Sequence, residues 1–254
     1  MSLEIQISQF ATPLDYFELF SSQELVSFIV EKTNQYRTHK MGNSMCSSVA
    51  HEQATTLNEI YYFFAIRLLM SQVKKLHYSE YWMKDKFTDI FGRIMNRDRY
   101  VFLLRMLYFG EITTTSSDKL VKKREFCNKL RLLFKNNFNP FCNLCIDESL
   151  LSYKGRLSFK QYISSERNRF GIKSFILCDC KTGYVLNFIV YAGSDSEVTK
   201  ITEKSFGKSG EIVISLLELY LEKKNTSYLL MIIGIPVRLC SFISTTIKQM
   251  YTVL

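Results

Sequence analysis

The feature that most constrains this chain is a change of apolar period at Pro140. Upstream, apolar residues recur at helical spacing. Downstream they come in short runs rich in Ile, Val, Leu, Phe and Tyr: Leu144–Leu151, Ile172–Cys180 and Tyr184–Tyr191. Runs of this length and composition read as strands. Lys181-Thr182-Gly183 lies between the last two and reads as a tight hairpin turn. Gly210–Lys224 then reads as an amphipathic helix, with Ile212, Leu216, Leu219 and Tyr220 along one stripe. The expected fold class is α+β: a helical N-terminal region, then an α/β part.

Within residues 13–138, Ser21-Ser22-Gln23-Glu24 has capping-box form and is followed by Leu25, Phe28 and Ile29 at helical spacing. Thr56-Leu57-Asn58-Glu59 repeats the signature before Ile60–Met70, which is apolar almost all round and is expected to be buried. Further helices are predicted over Lys84–Met95, Asp98–Tyr108 and Lys122–Phe134; in the last, Phe126, Leu130, Leu133 and Phe134 share a face. His39–Met45 and Ile112–Asp118 read as loops.

The 254 residues are 47% hydrophobic, enough for a sizeable core. The net charge of +9, from 33 Lys and Arg against 24 Asp and Glu, suits a polyanionic partner but equally an ordinary solvated surface. No apolar run is long enough to span a bilayer, and Met1–Phe10 lacks the pattern of a signal peptide. The seven cysteines have no regular spacing and read as reduced intracellular thiols. Cys142-x-x-Cys145 has no second pair or nearby His to complete a zinc set. It is assigned to core packing, as are Cys178 and Cys180. Lys122-Lys123-Arg124 is too short a basic run to establish nuclear targeting.

Several short motifs, taken in order, carry a resemblance. They are Thr12-Pro13-Leu14-Asp15-Tyr16-Phe17, Tyr81-Trp82, Met95-Asn96-Arg97-Asp98-Arg99-Tyr100, Ile146-Asp147-Glu148, Lys154-Gly155-Arg156, Tyr162-Ile163, Gly171-Ile172-Lys173 and Lys181-Thr182-Gly183-Tyr184. Together they resemble the piggyBac-type transposases. The resemblance implies an RNase H-like catalytic core, incomplete here, and cut-and-paste transposition with acidic residues and Mg²⁺. It implies double-stranded DNA at transposon ends as partner, a homodimer, and nuclear residence. Asp147 matches the family's first catalytic, metal-binding carboxylate. Glu148 is adjacent and, by strand alternation, faces the other way. Arg156, Lys160, Arg167, Arg169 and Lys173 surround the Asp147 strand and are expected to follow a phosphate backbone.

The chain departs from the family pattern at the second acid, expected near Leu229–Ile232. No Asp or Glu occurs from Lys223 onward. The third acid and Cys-rich domain implied by the resemblance would lie beyond Leu254. Codon arithmetic offers a cause: the last base of Met231 plus the first two of Ile232 spell Asp one frame away. The following codons permit Asn, Trp and Tyr in that frame. The organisation expected is therefore 1–139 helical, 140–230 the first part of the catalytic core, and 231–254 an out-of-frame tail. The functional reading is a transposase-derived DNA-binding protein without catalysis. The alternatives are a nuclease completed by Asp179 or a partner subunit, and a protein-interaction module built on the helical region.

Overall fold

The computed structural model describes residues 11–41, 53–83, 88–112, 118–141, 143–164, 169–193, 207–221 and 229–232, the last stretch as backbone alone. Along the chain, helix α1 (Pro13–Glu18) is followed by α2 (Gln23–Met41), α3 (Leu57–Gln72), a 3-10 helix at Tyr78–Trp82, α4 (Asp89–Ile94), α5 (Arg97–Met106) and α6 (Val121–Asn137). Strands β1 (Asn143–Ser152), β2 (Gln161–Tyr162), β3 (Phe170–Asp179) and β4 (Val185–Val190), helix α7 (Gly207–Leu221) and strand β5 (Leu229–Ile232) complete the order. The described residues divide into two compact units: 21–112, and 11–20 with those from 118 to 232.

In the helical unit, α3 starts at a true capping box. The Thr56 hydroxyl accepts from the Glu59 N–H at 3.3 Å, and Glu59 accepts from the Thr56 N–H at 3.1 Å. The cap of α2 is Ser22, whose hydroxyl accepts from the Leu25 N–H; Ser21, which opens the capping-box pattern read in the sequence, lies one residue earlier. Helix α2 also runs to Met41, into the stretch read as loop, while 42–45 lie outside the described residues. Helix α3 is not buried all round. Ile60, Phe63 and Ile66 are inside, but Tyr62 and Leu68 are exposed, because only one stripe meets neighbours. Phe63 and Ile66 of that stripe pack with Tyr81, Phe91, Met95, Tyr100 and Leu103. The motif residues Tyr81 and Trp82 are anchors here. The Tyr81 hydroxyl donates to the Val73 carbonyl, and the Trp82 indole N–H donates to the Met95 carbonyl at 2.8 Å.

The other unit is a sheet with a helix on each face. Strand β1 pairs antiparallel with β3, from Leu144↔Asp179 to Ser152↔Gly171. Strand β4 lies antiparallel along the far edge of β3, and β2 sits on that same edge beside Gly171. Strand β5 runs parallel to β1, from Asn143↔Leu229 to Ile146↔Ile232. The Gly171 backbone comes so close to β1 that a side chain's Cβ would stand 2.3 Å from the Leu151 carbonyl oxygen. Alternation along β1 separates two cores. Leu144 and Ile146, with Leu177, Leu186 and Ile189, meet Leu216 and Tyr220 of α7. Cys145, with Cys178 and Val185, meets Phe134 of α6.

Helix α6 therefore belongs with the sheet by packing, although it lies upstream of the Pro140 change of period. Its last turn is also tied to the chain after α1, since the Asn137 amide donates to the Leu19 carbonyl at 2.8 Å. On β4, Phe188 has both backbone groups taken by side chains. Arg131 donates to its carbonyl at 2.9 Å, and its N–H donates to Asn187 Oδ1 at 2.8 Å. A strand so covered offers little template for another chain.

Candidate active site and nucleic-acid interface

Asp147 sits midway along β1, half-buried, opposite Ile176 of β3. Its Oδ1 accepts the Glu148 N–H at 2.8 Å. By strand alternation it shares the α6 face with Cys145. The paired stretch of β5 ends at Ile146↔Ile232, one residue short of Asp147. Glu148 faces the other side, as alternation demands, and its Oε1 lies 2.7 Å from Lys173 Nζ.

The cysteines near Asp147 are free. Cys145 and Cys178 are buried cross-strand partners, as core packing requires. Cys180 is exposed, which corrects its assignment to the core: the strand ends at Asp179 and Cys180 begins the turn. Cys142 lies outside the described residues. Hydrogen bonding with Cys178 pulls the Cys145 thiol down to about 6, against burial; Cys180 adds to the pull and the Asp147 and Asp179 charges oppose it. Cys180, though exposed, is pushed up to about 11, first by partial desolvation of its thiol and then by the neighbouring Cys145.

Asp179 is fully buried and its carboxylate is in use. Oδ1 accepts the Phe141 N–H at 2.9 Å. Oδ2 accepts the Lys181 N–H at 3.1 Å, and the Thr182 N–H and hydroxyl at 2.8 Å each. It builds the β3–β4 turn, where Gly183 takes φ 72° and donates its N–H to the Asp179 carbonyl. Among the described residues, the donors around Asp147 do not fit a hard divalent ion: no three His, Cys, Asp or Glu side chains converge. Glu148 faces away on Lys173, and Asp179 is consumed by its turn.

The basic residues separate into two groups. Lys173 is held between Glu148 and the Phe175 ring, 5.0 Å from its centroid. Arg156, Lys160 and Arg169 gather around the β2–β3 hairpin. Lys160 Nζ donates to the Gly155 carbonyl at 3.1 Å and stands 5.3 Å from the centre of the Phe170 ring. Arg156 and Arg169 are exposed, and Arg167 lies outside the described residues. The sequence reading passed over the exposed pair Tyr162 and Phe170 on this hairpin. An aromatic at each strand end beside Lys160 and Arg169 was the available signal.

The sequence model of the transposase IS4 family matches residues 12–231. PiggyBac transposable element-derived protein 3 of Homo sapiens is 28% identical over 204 residues, covering 78% of this chain and 32% of that protein. PiggyBac transposable element-derived protein 2 of Homo sapiens is 24% identical over 222 residues, covering 85% of this chain and 35% of that protein. This chain thus spans about a third of the length of these curated relatives. A cryo-EM structure of the piggyBac transposase synaptic complex with hairpin DNA superposes with a TM-score of 0.67 at 26% identity, covering 89% of this chain and 51% of that one.

Proposed function

We propose that this chain, which belongs to the piggyBac-type transposase IS4 family, binds DNA through its β2–β3 hairpin and does not cut it. The observation that carries the reading is that Asp147 has no second carboxylate converging on it among the described residues. Strand β5 runs beside β1 up to Ile146, where an RNase H-like transposase core would bring its second acid, and Leu229–Ile232 contains none. Residues of a catalytic unit act together, so one carboxylate without its partners retains little rate. Among the described residues the Mg²⁺ chemistry of a DDE-type enzyme finds no donor set. We attribute the missing acid to a shifted reading frame after Leu230, which the codons across 220–254 test directly.

DNA binding is supported by Arg156 and Lys160 in the connection before β2, by Arg169 just before β3, and by the net charge of +9. Such contacts position a phosphate backbone without reading its sequence. A homodimer on transposon ends, and nuclear residence, belong to the same reading.

The test is a strand-cleavage assay in Mg²⁺ run with a salt titration of duplex binding. We expect no cleavage by the chain or by Asp147→Ala. Three phosphate contacts give a slope of log K against log salt of about −2.7, and Arg156→Ala with Arg169→Ala reduces it to about −0.9. Cleavage that Asp147→Ala abolishes would restore the nuclease reading. Salt-independent affinity would remove the backbone contacts.

A further inference from the structure

We propose that Tyr162 and Phe170 form a stacking platform for unpaired bases, so that the hairpin takes single-stranded nucleic acid in preference to duplex. The proposal rests on the DNA-binding reading above and names the form of nucleic acid that this surface fits. The two residues are direct cross-strand partners, Tyr162 on β2 and Phe170 on β3. Their ring centroids lie 5.0 Å apart at a 49° tilt, and the residues are 56% and 50% exposed. A cross-strand aromatic pair steadies a hairpin by itself. Here, however, half of each large apolar residue faces water on a strand only two residues long.

The charge around the pair selects the ligand. Among the described residues of 153–170, Lys154, Arg156, Lys160 and Arg169 are basic and none is acidic. Lys160 Nζ stands over the Phe170 ring and spends one of its three donors on the Gly155 carbonyl. Arg169 adjoins Phe170, and Arg156 adjoins the Gly155 that anchors Lys160. Ring faces interleaved with cations are what a single strand requires, because its bases present open π-faces and its phosphates run beside them. A duplex covers those base faces by its own stacking, so it would use the cations and leave the rings idle.

The platform is also preorganised. Ile163 donates to the Arg169 carbonyl at 2.9 Å, and Tyr153 donates to the Phe170 carbonyl at 3.1 Å. With Gly171 pressed against Leu151, the hairpin is fixed on both sides of Phe170. Little ordering cost is then left for binding.

The experiment is fluorescence anisotropy of the full chain with labelled oligothymidine and with a blunt duplex of equal length. Tyr162→Ala and Phe170→Ala should each weaken oligothymidine binding by about tenfold while changing duplex binding by less than about twofold. Tyr162→Phe keeps the ring and should keep the affinity. Phe170→Leu keeps apolar bulk without a π-face and should behave as Phe170→Ala, with an unchanged melting profile showing an intact fold. Equal losses on both ligands, or no loss on oligothymidine, overturn the platform while DNA binding by the cations stands. A wild-type chain that binds neither ligand overturns both readings. Self-association that Tyr162→Ala removes would assign the rings to a second copy of the chain, and would overturn the platform as well.

Discussion

Two aspartates on the sheet show how differently the same carboxylate can be used. Asp147 is half-buried on β1 and open enough to meet a ligand, whereas Asp179 is sealed at the end of β3 with four donors on its two oxygens. Removing Asp179 leaves those donors buried without an acceptor, and a lost charge-assisted network of this kind costs about 2–4 kcal/mol. Urea unfolding should therefore show a markedly lowered midpoint for Asp179→Ala. Asp147→Ala should stay within about 1 kcal/mol of wild type, since at this half-buried position water can take over the Glu148 N–H. Similar costs for the two would mean that Asp147 is also a structural acid. The sequence sets Asp147 on a strand and Asp179 at a strand end beside the Lys181-Thr182-Gly183 turn, but it does not show what each carboxylate holds. Burial and the count of donors depend on which backbone folds over the carboxylate, and Phe141 reaches Asp179 from 38 positions away.

Between elements, what was legible was local and what was not was the pairing of faces. The capping box at Thr56 and Glu59 is written in consecutive residues and forms as read. The strand pattern after Pro140 likewise gives β1, β3 and β4. The sequence could not show that Glu59 does a second task 40 residues away. Its two oxygens take Arg99 Nε at 2.8 Å and Nη2 at 2.9 Å, joining α3 to α5. Arg99 and Tyr100 in the motif Met95–Tyr100 are thus held inside the helical unit, and nothing in their spacing announces it. Burial pushes the Glu59 carboxyl up, but the Arg99 hydrogen bonds and charge and the Thr56 N–H outweigh it, so it lies below the ordinary 4.5. A carboxylate lowered on folding contributes stability that is fully present above pH 4.5 and is lost as pH falls through its folded value. Glu59→Gln should flatten that acid limb and cost about 2 kcal/mol at neutral pH, discounted from a fully buried pair because Glu59 keeps 23% exposure. An acid limb identical in the variant would show that other groups set it.

At the scale of the whole molecule, the chain has two compact units and a single tryptophan. Trp82 lies in the helical unit, 4.9 Å from the Tyr100 ring and 6.1 Å from the Phe91 ring between centroids. Its emission therefore reports the melting of that unit, whereas far-ultraviolet circular dichroism sums both. Each unit has its own buried apolar cluster, one around Phe63 and Tyr100 and one around Leu177 and Leu216. Chains with separate cores depart from two-state unfolding. The expected outcome is a fluorescence transition that does not superpose on the dichroism transition. The two substitutions above then act as markers. Glu59→Gln should move the fluorescence midpoint, while Asp179→Ala should move the dichroism curve and leave the fluorescence midpoint in place. If Asp179→Ala shifts Trp82 emission as much as Glu59→Gln does, the units unfold as one cooperative body. The same coupling would then let a substitution at the Tyr162–Phe170 hairpin be felt at Trp82, which the melting control on those variants reads out.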